Sequence, residues 1–188
     1  MNAKPTNRPG EVLLKVTRRD EPLLAAANAA RETSPFQIKN ILVPVDFSDC
    51  SKKALRYAIP LAKEHGAALT LLYVVPTPSY VIGEYGIETY LETQAEMRAT
   101  GARELARLVV NEIKGEVPAD SCVTIGSASH HIVDVAKTVN ADVIVISTHG
   151  RTGLKHVLLG SVAEHVIRHA PCPVLVVRES EREFLANS

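Results

Sequence analysis

From Ile38 onward, short unbroken apolar runs alternate strictly with segments of helical period, and this alternation limits the possible folds more than any other feature. The runs are Ile41–Asp46, Leu69–Val75, Cys122–Ile125, Asp142–Ser147 and Val174–Val177. They are rich in Val, Ile and Leu and do not alternate with polar residues, the pattern of strands covered on both faces. Between them, Ala54, Ala58, Leu61 and Ala62 recur at helical spacing, as do Ile132, Val135, Ala136 and Val139. Leu91, Ala95, Arg98, Ala102, Leu105, Val109 and Ile113 predict the longest helix, over about Glu88–Lys114, with an apolar stripe interrupted only by Arg98. Ser161–His169 predicts the last helix. Strict β–α alternation with doubly covered strands implies an α/β fold, an open parallel five-stranded sheet with helices on both faces. Ligands of such sheets bind beyond the carboxyl ends of the strands, where the strand order reverses. The first and fourth strands are the natural pair to flank that point, and they end in Asp46 and in the loop after Ser147.

Local signals set the boundaries. Ser48 or Asp49 caps the first helix and Gly66 stops it. Pro60, inside that helix, is expected to kink it or end its regular bonding. Tyr80, Tyr85 and Tyr90 surround the loop Thr77–Ile87, placed to close over a ligand or to cap the long helix. Residues 1–37 carry Pro5, Pro9, Pro22 and Pro35 and form a partly ordered N-terminal extension. Within it, Val12–Val16 predicts an edge strand and Leu23–Ala30 a short helix. Residues 38–178 form the domain and 179–188 a C-terminal tail.

Composition excludes several partners. Lys plus Arg and Asp plus Glu both number 21, so no net charge draws the chain to nucleic acid or to an anionic membrane. Trp is absent and aromatics are 4%, which leaves no platform for stacking single-stranded bases. No apolar run is long enough to span a membrane. Cys50, Cys122 and Cys172 are odd in number and widely spaced, so no disulfide framework is expected and a reducing, cytoplasmic setting is the simplest.

The segment from Ser147 to Ser161 carries the most chemistry. It leaves a buried strand and enters a helix, whose start presents unpaired N–H groups and the positive end of its dipole. Anions bind at such helix starts. Gly150 and Gly160 let backbone approach a phosphate, Ser161 adds a hydroxyl, and Arg151 and Lys155 add positive charge. The alternative is that the glycines only make turns.

Ser147-x2-Gly150-x9-Gly160-Ser161 resembles the nucleotide-binding signature of universal stress proteins, Gly-x2-Gly-x9-Gly-Ser/Thr. The opening Ile41-Leu42-Val43-Pro44-Val45-Asp46-Phe47-Ser48 and the run Val162–Val177 resemble the same family, so the likeness covers Ile38–Arg178. It implies a Rossmann-like sheet of the adenine nucleotide alpha hydrolase type, with strand order 3-2-1-4-5. It also implies that ATP or another adenine nucleotide is bound, with Mg²⁺ held mainly by the phosphates. By position, Pro44, Val45 and Asp46 would touch the adenosine part, with ribose hydroxyls or a cation suiting Asp46. Asp46 also suits a helix-entry turn. The Val74 backbone would meet adenine, and Gly126 would line the cleft or only turn the chain. Gly150, Arg151, Gly153, Gly160, Ser161 and Val162 would wrap the phosphates. Ser147 stands where the signature has its first glycine; its small side chain leaves room for a nucleotide or crowds the ribose.

Three functions follow. The first is a nucleotide-binding regulatory stress-response protein that acts as a homodimer and is read by an unidentified protein partner. The second is a nucleotide-free dimeric module, since the last strand, Val174–Val177, leaves a sheet edge open to pairing; in the family this strand often forms the two-fold interface. The third is a slow ATP hydrolase. No general base is evident and no Walker-type Gly-Lys-Ser/Thr follows the first strand, so no catalytic residue is assigned. His149, in the loop, suits a phosphate contact, an acid or a loop hydrogen bond. His165 and His169 share a helical face, but the spacing supplies no third ligand, so no metal site is assigned to the protein itself.

Overall fold

The computed structural model describes residues 2–5, 12–15, 37–77, 86–148 and 159–179. The chain divides into two compact units, Met1–Gln37 and Ile38–Ser188. In the first, β1 (Asn2–Pro5) pairs antiparallel with β2 (Val12–Lys15), Asn2 opposite Lys15 and Pro5 opposite Val12. Val12–Lys15 thus pairs within a hairpin, with a partner whose own sequence has no strand pattern. The helix expected over Leu23–Ala30 lies outside the described residues.

The second unit is the alternating domain. Its strands are β3 (Asn40–Pro44), β4 (Ala68–Val75), β5 (Ala119–Ile125), β6 (Val143–Ser147) and β7 (Val174–Val177). They form one parallel sheet in the order β5-β4-β3-β6-β7, which is 3-2-1-4-5 in the domain's own count. The helices are α1 (Asp49–His65), α2 (Gly86–Leu108), α3 (Ala128–Thr138) and α4 (Ser161–His169). Alternate residues of each central strand enter different cores. Ile41, Val43, Leu69, Leu71, Val143 and Val145 pack with Ala54, Leu55, Ala58 and Ala62 of α1 and Leu105 and Leu108 of α2. Leu42, Leu72, Ile144 and Ile146 pack with Ile132, Val133 and Ala136 of α3 and Ala163 and Val166 of α4. Unbroken apolar strands are what such a double covering requires.

The central pair is fastened at its start by one carboxylate. Asp142 Oδ2 accepts the Lys39 N–H at 2.7 Å and the Asn40 N–H at 2.9 Å, while the Asp142 N–H donates to Asn40 O at 2.9 Å. Ile41 then lies beside Val143 and Leu42 beside Ile144. Beyond β3, connections advance outward to β4 and β5; the connection through α3 then crosses to β6, on the other side of β3. The switch point is therefore between β3 and β6.

Helix α1 is capped by Ser48, whose Oγ accepts the Ser51 N–H at 3.2 Å. Pro60 does not end it: the helix runs on to His65, because the proline sits on the exposed face, where a carbonyl deprived of its amide partner can take water. The long helix departs further from its expected stripe. Ala95 and Ala102 are exposed, whereas Gly101, Leu105 and Leu108 are buried, and its last turn, Val109–Ile113, is a π-helix. The burial face is therefore keyed to Gly101, which apolar periodicity passes over.

Gly66 ends α1 with φ 64°, and an added Cβ there would meet nothing within 4 Å. Gly66→Ala therefore isolates the cost of the left-handed conformation, about 1–2 kcal/mol. Urea unfolding should show that loss with the slope unchanged.

Candidate functional site

The carboxyl ends of β3 and β6 are built differently. Pro44 ends β3 and is buried; the Val45 N–H continues the ladder by donating to Leu72 O at 2.8 Å, and its side chain is buried on the α1 side. Asp46, half-buried, begins a tight turn. Its Oδ1 accepts the Ser48 N–H at 3.1 Å and the Ser48 hydroxyl at 2.6 Å, and its own N–H donates to Ser51 Oγ at 3.3 Å. One carboxylate oxygen thus organises the entry to α1, the helix-entry role weighed for this residue. Val74, near the end of β4, packs against the α3–α4 core, and Gly126 follows β5 with its N–H donated to Val75 O at 2.9 Å.

At the end of β6, Ser147 is half-buried and level with Val177 of β7. Thr148 is 3% exposed. Its N–H donates to Val177 O at 3.0 Å, and its carbonyl accepts the Gly160 N–H at 2.8 Å. The loop that leaves β6 therefore returns to its own starting point before α4 begins. A Cβ on Gly160 would lie 2.8 Å from Thr148 O, closer than real Cβ contacts go. Glycine is expected here to let backbone approach a ligand; the approach observed is to the Thr148 carbonyl, and it commits the Gly160 amide. The next donors are the N–H groups of Ser161, Val162 and Ala163. They open α4, where Gly160 supplies no side-chain cap, and no acceptor for them is found among the described residues. Ser161 is exposed and Val162 half-buried. Gly150, Arg151 and Gly153, like His149 and Lys155, lie outside the described residues.

The adjacency of β3 and β6 thus places Pro44, Val45, Asp46 and Ser147 at one edge of the sheet, with Gly160, Ser161 and Val162 returned to it by the Thr148 contact. The sequence profile described as the Universal stress protein family matches residues 37–178. The chain belongs to the universal stress protein family. Universal stress protein MJ0531 of Methanocaldococcus jannaschii is 37% identical over 146 residues, covering 77% of this chain and 85% of that protein. Universal stress protein YxiE of Bacillus subtilis is 36% identical over 144 residues, covering 73% and 97%. Among solved structures, universal stress protein UspA from Lactobacillus plantarum superposes with a TM-score of 0.67 at 32% identity, covering 76% of this chain and 99% of that one.

Several groups in this universal stress protein domain were not legible as parts of the site. Thr148 reads as an ordinary loop residue, yet it joins β7, β6 and the start of α4. His165 and His169, a candidate metal pair by spacing, are stacked, ring centroids 4.2 Å apart, and the ring of His130 of α3 lies 4.7 Å from that of His165. The His169 Nδ1–H donates to His165 O at 2.8 Å. Among the described residues no group of three or more His, Cys, Asp or Glu is arranged to hold a metal ion. Partial burial, then the charges of His169 and His130, lower the His165 pKa. Cys172 is half-buried in the α3–α4 core; burial, then Asp142, raise its thiol pKa and hold it protonated. No helix among the described residues is long and apolar enough to cross a membrane.

Two measurements test this geometry. Gly160→Ala should cost about 1–3 kcal/mol in urea unfolding by forcing Thr148 and Gly160 apart. The lowered His165 pKa means that the unfolded chain binds this proton more readily than the folded one. Stability is therefore fully present above the ordinary value of 6.5 and is lost as pH falls through 6.5 towards the folded value. His165→Gln should flatten that part of the stability–pH curve.

Proposed function

We propose that this universal stress protein binds an adenine nucleotide, ATP foremost, at the edge where β3 and β6 end, and acts as a regulatory stress-response protein. The observation that carries this is the start of α4: three successive amides, on Ser161, Val162 and Ala163, without an acceptor among the described residues and beside a switch point. Together with the helix dipole they form a fixed anion site whose donors cannot rotate away. The Ser161 hydroxyl is exposed beside them. In this mode the polyphosphate lies on Ser161 and Val162, and Gly150, Arg151 and Gly153 complete the wrap. Gly160 contributes the close return of the chain rather than a donor. Pro44, Val45, Asp46 and the Val74 backbone face the nucleoside, and Ser147 lies beside the ribose. A Mg²⁺ ion rides on the phosphate oxygens, keeping waters and needing few protein ligands. Bound nucleotide supplies the charge; the chain supplies placement, and no catalytic residue is assigned.

The working unit in this proposal is a homodimer paired through β7. That strand is the outer strand on the β6 side, and Leu175 on it is 41% exposed, with Ile167 of α4 at 44%. An open edge with apolar side chains is a pairing surface. Because β7 also holds the Thr148 N–H, the pairing edge and the nucleotide loop share one strand. The domain, residues 38–178, carries both, with 1–37 and 179–188 as flanking segments in a cytoplasmic protein.

The test is direct. Freshly purified protein is denatured and any released small molecule identified by mass, and ATP affinity is measured by calorimetry. Ser161→Asp places a carboxylate at an exposed first-turn position that helices favour, so the fold is kept while phosphate is repelled. ATP affinity is expected to fall about tenfold or more. Ser161→Ala keeps the three amides and is expected to change it by about threefold or less. No released nucleotide and no ATP binding by the unmodified protein would leave the nucleotide-free dimer as the function.

A further inference from the structure

We infer that Phe47 and Tyr73 are positioning residues for Asp46, locked in place by a notch in α2 at Gly101. Phe47 has φ 66°, a left-handed conformation that a bulky residue holds only when its surroundings impose it. Lys114 and Asn140 also have positive φ, but each follows a helix end, where that conformation is ordinary. Phe47 instead lies between the end of β3 and the Ser48 cap. Its ring packs on that of Tyr73, centroids 4.7 Å apart and planes at 52°, and both rings lie against the α1–α2 core. Such tilted pairs attract beyond their buried area. Tyr73 is held in turn. A Cβ on Gly101 would lie 2.6 Å from Tyr73 Cδ1 and 2.8 Å from Cε1. Glycine is a poor residue for a helix interior, and here its missing side chain is the space the ring occupies.

The chain of contacts runs from α2 through Tyr73 and Phe47 to the turn that fixes the carboxylate. Asp46 Oδ1 reaches both the Ser48 N–H and the Ser48 hydroxyl because the backbone reverses at Phe47. The aromatic pair therefore sets the orientation of an acceptor at the end of β3 before any ligand arrives, and an acceptor held in this way suits the vicinal hydroxyls of a ribose. That last step rests on the nucleotide reading above; the coupling from Gly101 to the turn does not.

The experiment uses the full chain with two probes, adenosine and inorganic triphosphate, and follows the backbone amides of Ser48, Thr148 and Gly160 by NMR and hydrogen exchange. Gly101→Ala fills the notch, Phe47→Ala removes one ring, and Tyr73→Phe keeps both rings. Gly101→Ala and Phe47→Ala are expected to weaken adenosine binding about tenfold, the scale of one or two lost hydrogen bonds, with triphosphate binding changed by about threefold or less. The Ser48 amide should lose protection while those of Thr148 and Gly160 keep theirs. Tyr73→Phe should behave as the unmodified chain. If Gly101→Ala does not fold, Tyr73→Leu removes the ring without adding bulk. Unchanged adenosine binding with an unmoved Ser48 amide overturns the inference, as does a uniform loss of both probes. Should the unmodified protein bind neither probe, the nucleotide reading fails. The positioning role is then decided by the Ser48 amide alone: a shift in Gly101→Ala confined to that turn upholds it, and no shift overturns it.

Discussion

The hydrogen bond from the Gly160 N–H to the Thr148 carbonyl governs where everything else at this edge can be. It joins the residue after β6 to the residue before α4, so the whole intervening loop begins and ends at one point. Backbone meets backbone there, which is why no side chain larger than hydrogen is accommodated at 160. Thr148 is in turn held by β7 through its own N–H, so the neck of the loop is an extension of the sheet rather than an appendage. The first amides of α4 are thereby delivered to the switch point. A helix start elsewhere on the surface would have the same dipole and no neighbouring strand ends to frame a ligand.

The two edges of the sheet divide the labour. At the amino edge, one carboxylate, Asp142, takes the Lys39 and Asn40 amides and fixes how β3 and β6 come together. At the carboxyl edge the same two strands stop with different chemistry, a carboxylate turn on β3 and, after β6, a Thr148 carbonyl that holds the Gly160 amide. Buried apolar layers on both faces hold the pair between these ends. The proposed site, framed by the amides of Ser161, Val162 and Ala163, would rest mainly on main-chain donors. This also bears on Ser147, a small residue that changes the wall of such a site without removing a donor.

The parts legible in the sequence are those with both a pattern and a boundary. Ser161–His169 and Val174–Val177 are observed to the residue, because a glycine precedes the first and the Pro171-Cys172-Pro173 segment introduces the second. The central strands were plain to within a residue or two at their ends, since double burial leaves mostly apolar residues in them. The start of β5 was not: Asp120 and Ser121 are exposed on the sheet's outer strand, so that part carries no apolar signal. The long helix misled because its packing centres on Gly101, a residue that periodicity counts as a gap. Pro60 does not stop the helix, because its effect depends on which face it occupies. At the carboxyl edge the sequence pattern pointed to Asp46, Gly160 and Ser161, which lie at the ends of β3 and β6, whereas Thr148 and Phe47 carried no such signal. Their importance lies in a carbonyl direction and a backbone angle, and neither leaves a trace in composition or spacing.

The spacing of the sheet gives the proposed ligand a direction. Neighbouring strands lie about 4.8 Å apart, less than the span of a nucleotide, so the ends of β3 and β6 must meet different parts of it. Asp46 at the end of β3 brings negative charge, with one oxygen already committed to Ser48. The start of α4, returned to the end of β6, brings partial positive charge from amides with no acceptor among the described residues. A polyphosphate laid towards β3 would face like charge at close range in a half-buried place, and laid towards α4 it meets donors. In the proposed mode the nucleoside therefore lies over β3 and β4 and the phosphates over α4. The proposed direction follows from two strand ends of opposite character and would be the same for any nucleotide bound there.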